Sequence, residues 1–159
     1  NLPGAIDLRL LFSYQPELLQ VTLPGATVIN LAGAASIGPG SVAPQKERVT
    51  LSASYALEPF TLNAQVRYLS SEHPNGDPTL YYSDPDIPAI TYVDLGATWD
   101  IKAGGHSYTA FVSIQNALDQ EPPLYASAAF TGNPGFYYPV PTGYDLVGRY
   151  YTAGVRFKF

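Results

Sequence analysis

The chain contains no cysteine. That excludes a disulfide framework and any thiolate-bound metal, and it is compatible with a protein of the cell envelope. No apolar run approaches the ~18 residues that a membrane-spanning helix needs. Basic residues are scarce, with 8 Lys and Arg against 13 Asp and Glu and a net charge of −5. A nucleic-acid binder would want a basic surface, so that class of partner is excluded. The first residue is Asn1 and no signal peptide is visible, although an exported protein would have carried one. The chain is therefore expected to be a mature product or a piece of something longer. No stretch shows a helical apolar period with caps. No nucleophile, base and orienting group stand together, and no Gly-rich phosphate loop precedes a helix. An enzyme is not expected, nor a cofactor or a metal.

What the chain does have is aromatic residues and turn formers. Thirteen Tyr, seven Phe and one Trp stand beside 14 Gly and 15 Pro, a mix that suits β-strands joined by Pro-rich loops. The length of 159 residues suits one domain. The clearest segment is the last, Gly148 to Phe159. From Arg149 every second residue forms the set Tyr151, Ala153, Val155, Phe157 and Phe159; Tyr150, Thr152, Gly154, Arg156 and Lys158 form the other. A period of two is that of a strand with two unlike faces. Aromatics near both ends of the apolar set point to the closing strand of an outer-membrane barrel rather than to a β-sandwich core.

Five more strands follow the same rule: Ala5 to Tyr14, Lys46 to Ala56, Phe60 to Leu69, Ile90 to Ile101 and His106 to Asn116. Their connections alternate in length. Tight turns are expected at Leu57-Glu58-Pro59 and at Lys102-Ala103-Gly104-Gly105; long loops run from Gln15 to Gln45, Ser70 to Ala89 and Ala117 to Val147. Short turns on one rim and long loops on the other are the habit of bacterial outer-membrane barrels, the short turns being periplasmic. A ten-residue strand at ~3.3 Å per residue, tilted ~45°, spans roughly 23 Å, which matches an apolar band of about 25 Å. Tyr55, Phe60, Trp99, Tyr108, Phe157 and Phe159 lie beside the short turns or the chain end, and Tyr14, Tyr68 and Tyr151 beside the long loops. Such rings favour a membrane–water interface.

Charge follows the same plan. The long loops hold Glu17, Glu72, Asp77, Asp84, Asp86, Asp119, Glu121 and Asp145 and no Lys or Arg. Within the strands, Asp7, Arg9, Arg67, Asp94 and Arg156 fall on the polar face. Six strands are nevertheless too few, because the smallest single-chain membrane barrels have about eight. Unpaired edges in lipid would leave backbone groups unsatisfied at several kcal/mol each, so further strands must close the sheet. The expected fold is thus all-β: an antiparallel transmembrane barrel portion, 1–159, within a larger barrel.

Three segments resemble TonB-dependent outer-membrane receptors. They are Tyr92-Val93-Asp94-Leu95-Gly96-Ala97-Thr98-Trp99, then Val112-Ser113-Ile114-Gln115-Asn116-Ala117-Leu118-Asp119-Gln120-Glu121-Pro122-Pro123, and Tyr144-Asp145 with Gly148-Arg149-Tyr150-Tyr151 through Phe159. The second is similar to the family's "N-L-F/L-D-x-x-P" stretch, with Ala117 departing at the large apolar position. The resemblance is close from about Ile90 onward and rests on pattern alone before it. It implies a bacterial outer-membrane receptor for active transport, a plug filling the barrel and energy from an inner-membrane TonB complex. The substrate class stays open among siderophore, cobalamin, oligosaccharide and peptide. Implied partners are the rest of the barrel and the plug, outer-membrane lipid and LPS, the barrel assembly machinery, and a substrate-capturing lipoprotein as a further candidate. Arg9, Arg67, Asp94 and Arg156 are expected to face the lumen and plug, and Tyr151, Phe157 and Phe159 to form the assembly signal. A passive porin and an adhesion or structural barrel are the alternatives.

The loop aromatics Tyr81, Tyr82, Tyr125, Phe130, Phe136, Tyr137 and Tyr138 are candidates for substrate stacking, against the plainer role of packing loop on loop. Glu72, Asp77, Asp84 and Asp86 do not match a calcium-loop spacing, and solvated or LPS-facing acid is their expected role. His73 and His106 belong to opposite rims and cannot share a metal.

Overall fold

The computed structural model describes residues 3–21, 23–34, 45–73, 86–126, 137–139 and 143–158. They form ten strands: β1 Ala5–Tyr14, β2 Leu19–Gln20, β3 Ile29–Asn30, β4 Glu47–Leu57, β5 Phe60–Leu69, β6 Ile90–Ala103, β7 His106–Gln115, β8 Leu124–Ala126, β9 Tyr137–Pro139 and β10 Tyr150–Lys158. There is no helix among the described residues. Six strands make one sheet in the order β1-β4-β5-β6-β7-β10, each antiparallel to its neighbours. Chain order and spatial order agree, so the sheet is a meander. It is open: β1 and β10 are its two edges.

The alternation read along each strand becomes one continuous surface because the registers keep like with like. A single row runs Leu8, Ala53, Ala64, Leu95, Ile114, Tyr151 across all six strands. The next row on the same face runs Ile6, Tyr55, Leu62, Ala97, Val112, Ala153. On the opposite face Asp7, Ser54, Asn63, Gly96, Ser113 and Thr152 are in register. Within the sheet every charged side chain lies on that second face, apart from Glu47, which is paired with Tyr14 at the rim. A slip of one residue anywhere would invert this sorting, and this is what pins the register.

The turns are shorter than the sequence suggests. Gly104-Gly105 alone joins β6 to β7, both residues at positive φ (61° and 80°), as a two-residue hairpin demands. Lys102 and Ala103 extend β6 instead. Glu58-Pro59 joins β4 to β5, and Leu57 pairs with Phe60. The four short strands were not read from the sequence. They form two small ladders, β2 with β3 and β8 with β9, inside the connections that follow β1 and β7.

The buried core does not lie against the apolar face. Leu69, Ile87, Ile90, Tyr92 and Tyr144 cluster at the long-connection end of the sheet, and Leu31 packs with Ala34 nearby. The apolar face itself is open: Leu8 and Leu10 are 68% exposed and Val155 54%. A water-soluble sheet buries one face against another layer. Among the described residues, no layer covers this one.

Candidate functional site

The polar face is built by the second half of each strand's alternation. Arg67 on β5 and Asp94 on β6 stand two residues apart in register, on the same face, and pair, with Arg67 Nη2 3.2 Å from Asp94 Oδ2. Arg67 Nε donates to the same oxygen at 3.2 Å. The guanidinium also sits 5.2 Å from the centre of the Tyr92 ring, a cation–π contact. The other Asp94 oxygen accepts the backbone N–H of Asn116 at 2.8 Å. One carboxylate therefore ties β5, β6 and the end of β7 together.

Asn116 begins the connection after β7. Its φ is +48°, a region that Asn tolerates better than most residues. Its side chain closes the turn on both sides: Nδ2 donates to the Gln120 carbonyl and Oδ1 accepts the Gln120 N–H, each at 2.9 Å. Asp119 follows, also at positive φ. It accepts the Arg149 N–H at 2.9 Å and pairs with the Arg149 guanidinium at 3.2 Å, joining this connection to the start of β10. That backbone hydrogen bond, with the Arg149 charge, holds the Asp119 carboxyl below the usual range.

At the long-connection end, Glu72 is buried. Tyr144 Oη donates to its Oε2 at 3.1 Å. Burial pushes the Glu72 carboxyl from 4.5 up to about 7, against the opposing pull of the Tyr144 hydrogen bond and the Arg48 charge. The Tyr144 hydroxyl is itself pushed up, by burial first and then by Glu72. Sequence reasoning placed Glu72 among solvated loop acids, and the structure corrects this. The signal was available only in three dimensions, because the groups that bury it come from other connections.

Arg9, Arg67, Asp94 and Arg156 share the polar face, as their parity in the sequence requires. They do not form one cluster. Asp94 and Arg156 line one trough with Asp7, Ser54, Asn63 and Thr109; Arg67 lines another with Gln115, Asp145 and Tyr150. Arg67 and Asp94 are engaged with each other, and Arg9 and Arg156 belong to neither ion pair among the described residues. Tyr151 and Phe157 lie on the apolar face of β10, and Phe157 meets Tyr108 edge-on with ring centroids 5.6 Å apart. Phe159 lies outside the described residues, as do Tyr81, Tyr82, Phe130 and Phe136. Tyr125 and Tyr138 are backbone partners in the β8–β9 ladder, with Tyr137 beside them. Asp77 and Asp84 also lie outside the described residues. His73 is at the long-connection end and His106 opens β7 beside the short turn, so the two are on opposite rims. No cluster able to hold a metal ion is found among the described residues. No known protein family, curated protein or solved structure matches the chain.

Proposed function

We propose that the chain is part of the wall of a bacterial outer-membrane β-barrel that imports a scarce solute with energy from an inner-membrane TonB complex. The observation that carries the barrel half of this reading is the six-strand apolar face, free of charge between its rims and uncovered by protein. Hydrocarbon is the solvent such a face suits. The polar face then lines the lumen, with Arg9, Arg67, Asp94 and Arg156 directed inward. The open edges at β1 and β10 require further strands to close the sheet in lipid. The transport half rests on the resemblance of the Tyr92–Trp99, Val112–Pro123 and Tyr144–Phe159 segments to TonB-dependent receptors.

Trp99 tests the barrel half. It is the single Trp of the chain, and it lies on the apolar face beside the short turns, stacked on Phe60 at 5.7 Å. Its fluorescence in reconstituted vesicles should be quenched by lipids brominated in the acyl chain near the headgroup, and only weakly by aqueous iodide. Strong iodide quenching with no response to brominated lipid would sink the membrane assignment. Uptake assays test the transport half. Import that stops with a protonophore supports energy coupling, protonophore-insensitive flux favours a porin, and absence of flux with loop-dependent surface binding favours an adhesion barrel.

A further inference from the structure

Three connections converge on Glu72. Glu72 and Ile87 exchange both backbone hydrogen bonds, at 3.0 and 2.9 Å, which pinches together the two ends of the connection between β5 and β6. Tyr144, from the connection that leads into β10, donates to the Glu72 carboxyl. The next residue, Asp145, donates its N–H to Tyr92 Oη at 3.1 Å, anchoring that connection to β6. Gln45, at the end of the connection between β1 and β4, hydrogen-bonds Tyr144 and accepts from Arg48 Nε. The His73 N–H reaches back to the Gly33 carbonyl at 2.9 Å, in that same first connection. Glu72 at the centre is 4% exposed.

We propose that Glu72 is a proton-operated clasp: protonated, it holds Ile87, Tyr144 and Gln45 of the three connections together at the long-connection end of the sheet, and ionised, it releases them. The groups facing it from the packed elements are Arg48 on β4, the neutral Gln45, and Tyr144, on which Tyr92 of β6 also acts. Tyr92 in turn answers to Asp145 and Arg67. His73 and Asp86 flank the Glu72–Ile87 bridge in the chain and are exposed. Arg48 and Tyr144 both favour the ionised carboxylate, but burial outweighs them. The sign follows. A closed form with a raised carboxyl pKa holds its proton where an open form has lost it. Closure is therefore fully supported below about 4.5, weakens as pH rises to about 7, and gains nothing more to lose beyond that. The burial of Glu72 and the convergence of the three connections on it carry this inference, independently of the transport reading.

Hydrogen exchange on the protein in detergent, corrected for intrinsic rates, tests it. The amides of Glu72, His73, Ile87 and Asp145 should open at least about tenfold more often at pH 8 than at pH 5, while mid-strand amides of β5 and β6 stay level. Glu72→Gln should abolish this pH dependence. An unchanged pH dependence in that variant, or a flat wild-type profile, overturns the clasp. Tyr144→Phe removes a donor that favours ionisation but keeps the ring. It should move the release midpoint to higher pH, and an unmoved midpoint also overturns the proposal, even if Glu72→Gln does not fold.

Discussion

Asn116 has no exposed surface, a left-handed backbone and three hydrogen bonds, through its N–H, Oδ1 and Nδ2. These demands can be separated by substitution. Asn116→Gly keeps the backbone freedom and loses the two side-chain bonds to Gln120. Asn116→Ala loses the same bonds and keeps a Cβ at positive φ without them, a strain of roughly 1–2 kcal/mol that glycine avoids. Both variants should lower the unfolding midpoint in detergent, and Asn116→Ala should be the less stable by about 1 kcal/mol. Equal losses would mean that the backbone conformation contributes nothing. The Asn116–Pro122 stretch could be picked out in the sequence by its resemblance. Its physical task could not, because Asn116 and Asp119 act through Asp94 and Arg149, which lie 22 and 30 residues away. The same holds for Asp94. Its parity assigned it to the polar face, but the structure shows both its oxygens engaged by Arg67 and Asn116, ahead of any outside partner.

Strands were the most legible elements, since strict alternation survives being read one residue at a time. β1 and β5 have the bounds expected from the sequence, and the other four strands of the large sheet differ by at most two residues at either end. The strands missed, β2, β3, β8 and β9, have two or three residues each, too short to show any period. Glycine inside a strand is another element-scale device. A Cβ at Gly154 on β10 would lie 2.7 Å from the ring of Phe111 on β7, its direct register partner. Phe111 is thus a large apolar side chain on the polar face, lying against a neighbour that has no side chain of its own. Gly154→Ala should push this ring aside and cost roughly 1–3 kcal/mol, as overpacking does. In a Phe111→Ala background the same change should cost little. A double-mutant cycle on the thermal midpoint measures the coupling. Additive effects would show that the ring does not depend on the glycine for its place.

At the scale of the whole molecule, the two faces make opposite claims about solvent, and a charge placed on each can decide between them. Leu95 lies mid-sheet on the apolar face, between Ala64 and Ile114, and Gln65 lies mid-sheet on the polar face, between Ser52 and Asp94. Both are accessible in the isolated sheet. If the sheet stood in water, Leu95→Arg and Gln65→Arg would each change stability by only about 0.5 kcal/mol, as surface substitutions do. In a bilayer they part company. An Arg on the lipid side near the midplane costs ~2–4 kcal/mol, whereas one facing an aqueous lumen keeps its hydration. Gln65→Arg would also stand next to the Arg67–Asp94 ion pair, whose opposite charges nearly cancel at that position. Leu95→Arg should therefore sharply reduce the heat-resistant folded form in lipid vesicles, and Gln65→Arg should leave it nearly unchanged. Folding assays of both variants in the same vesicles read this out as the fraction resistant to detergent-induced unfolding at each temperature. Equal and small effects would remove the reason for placing hydrocarbon against Leu8, Leu95 and Val155. The open edges at β1 and β10 would then need no strands to close them.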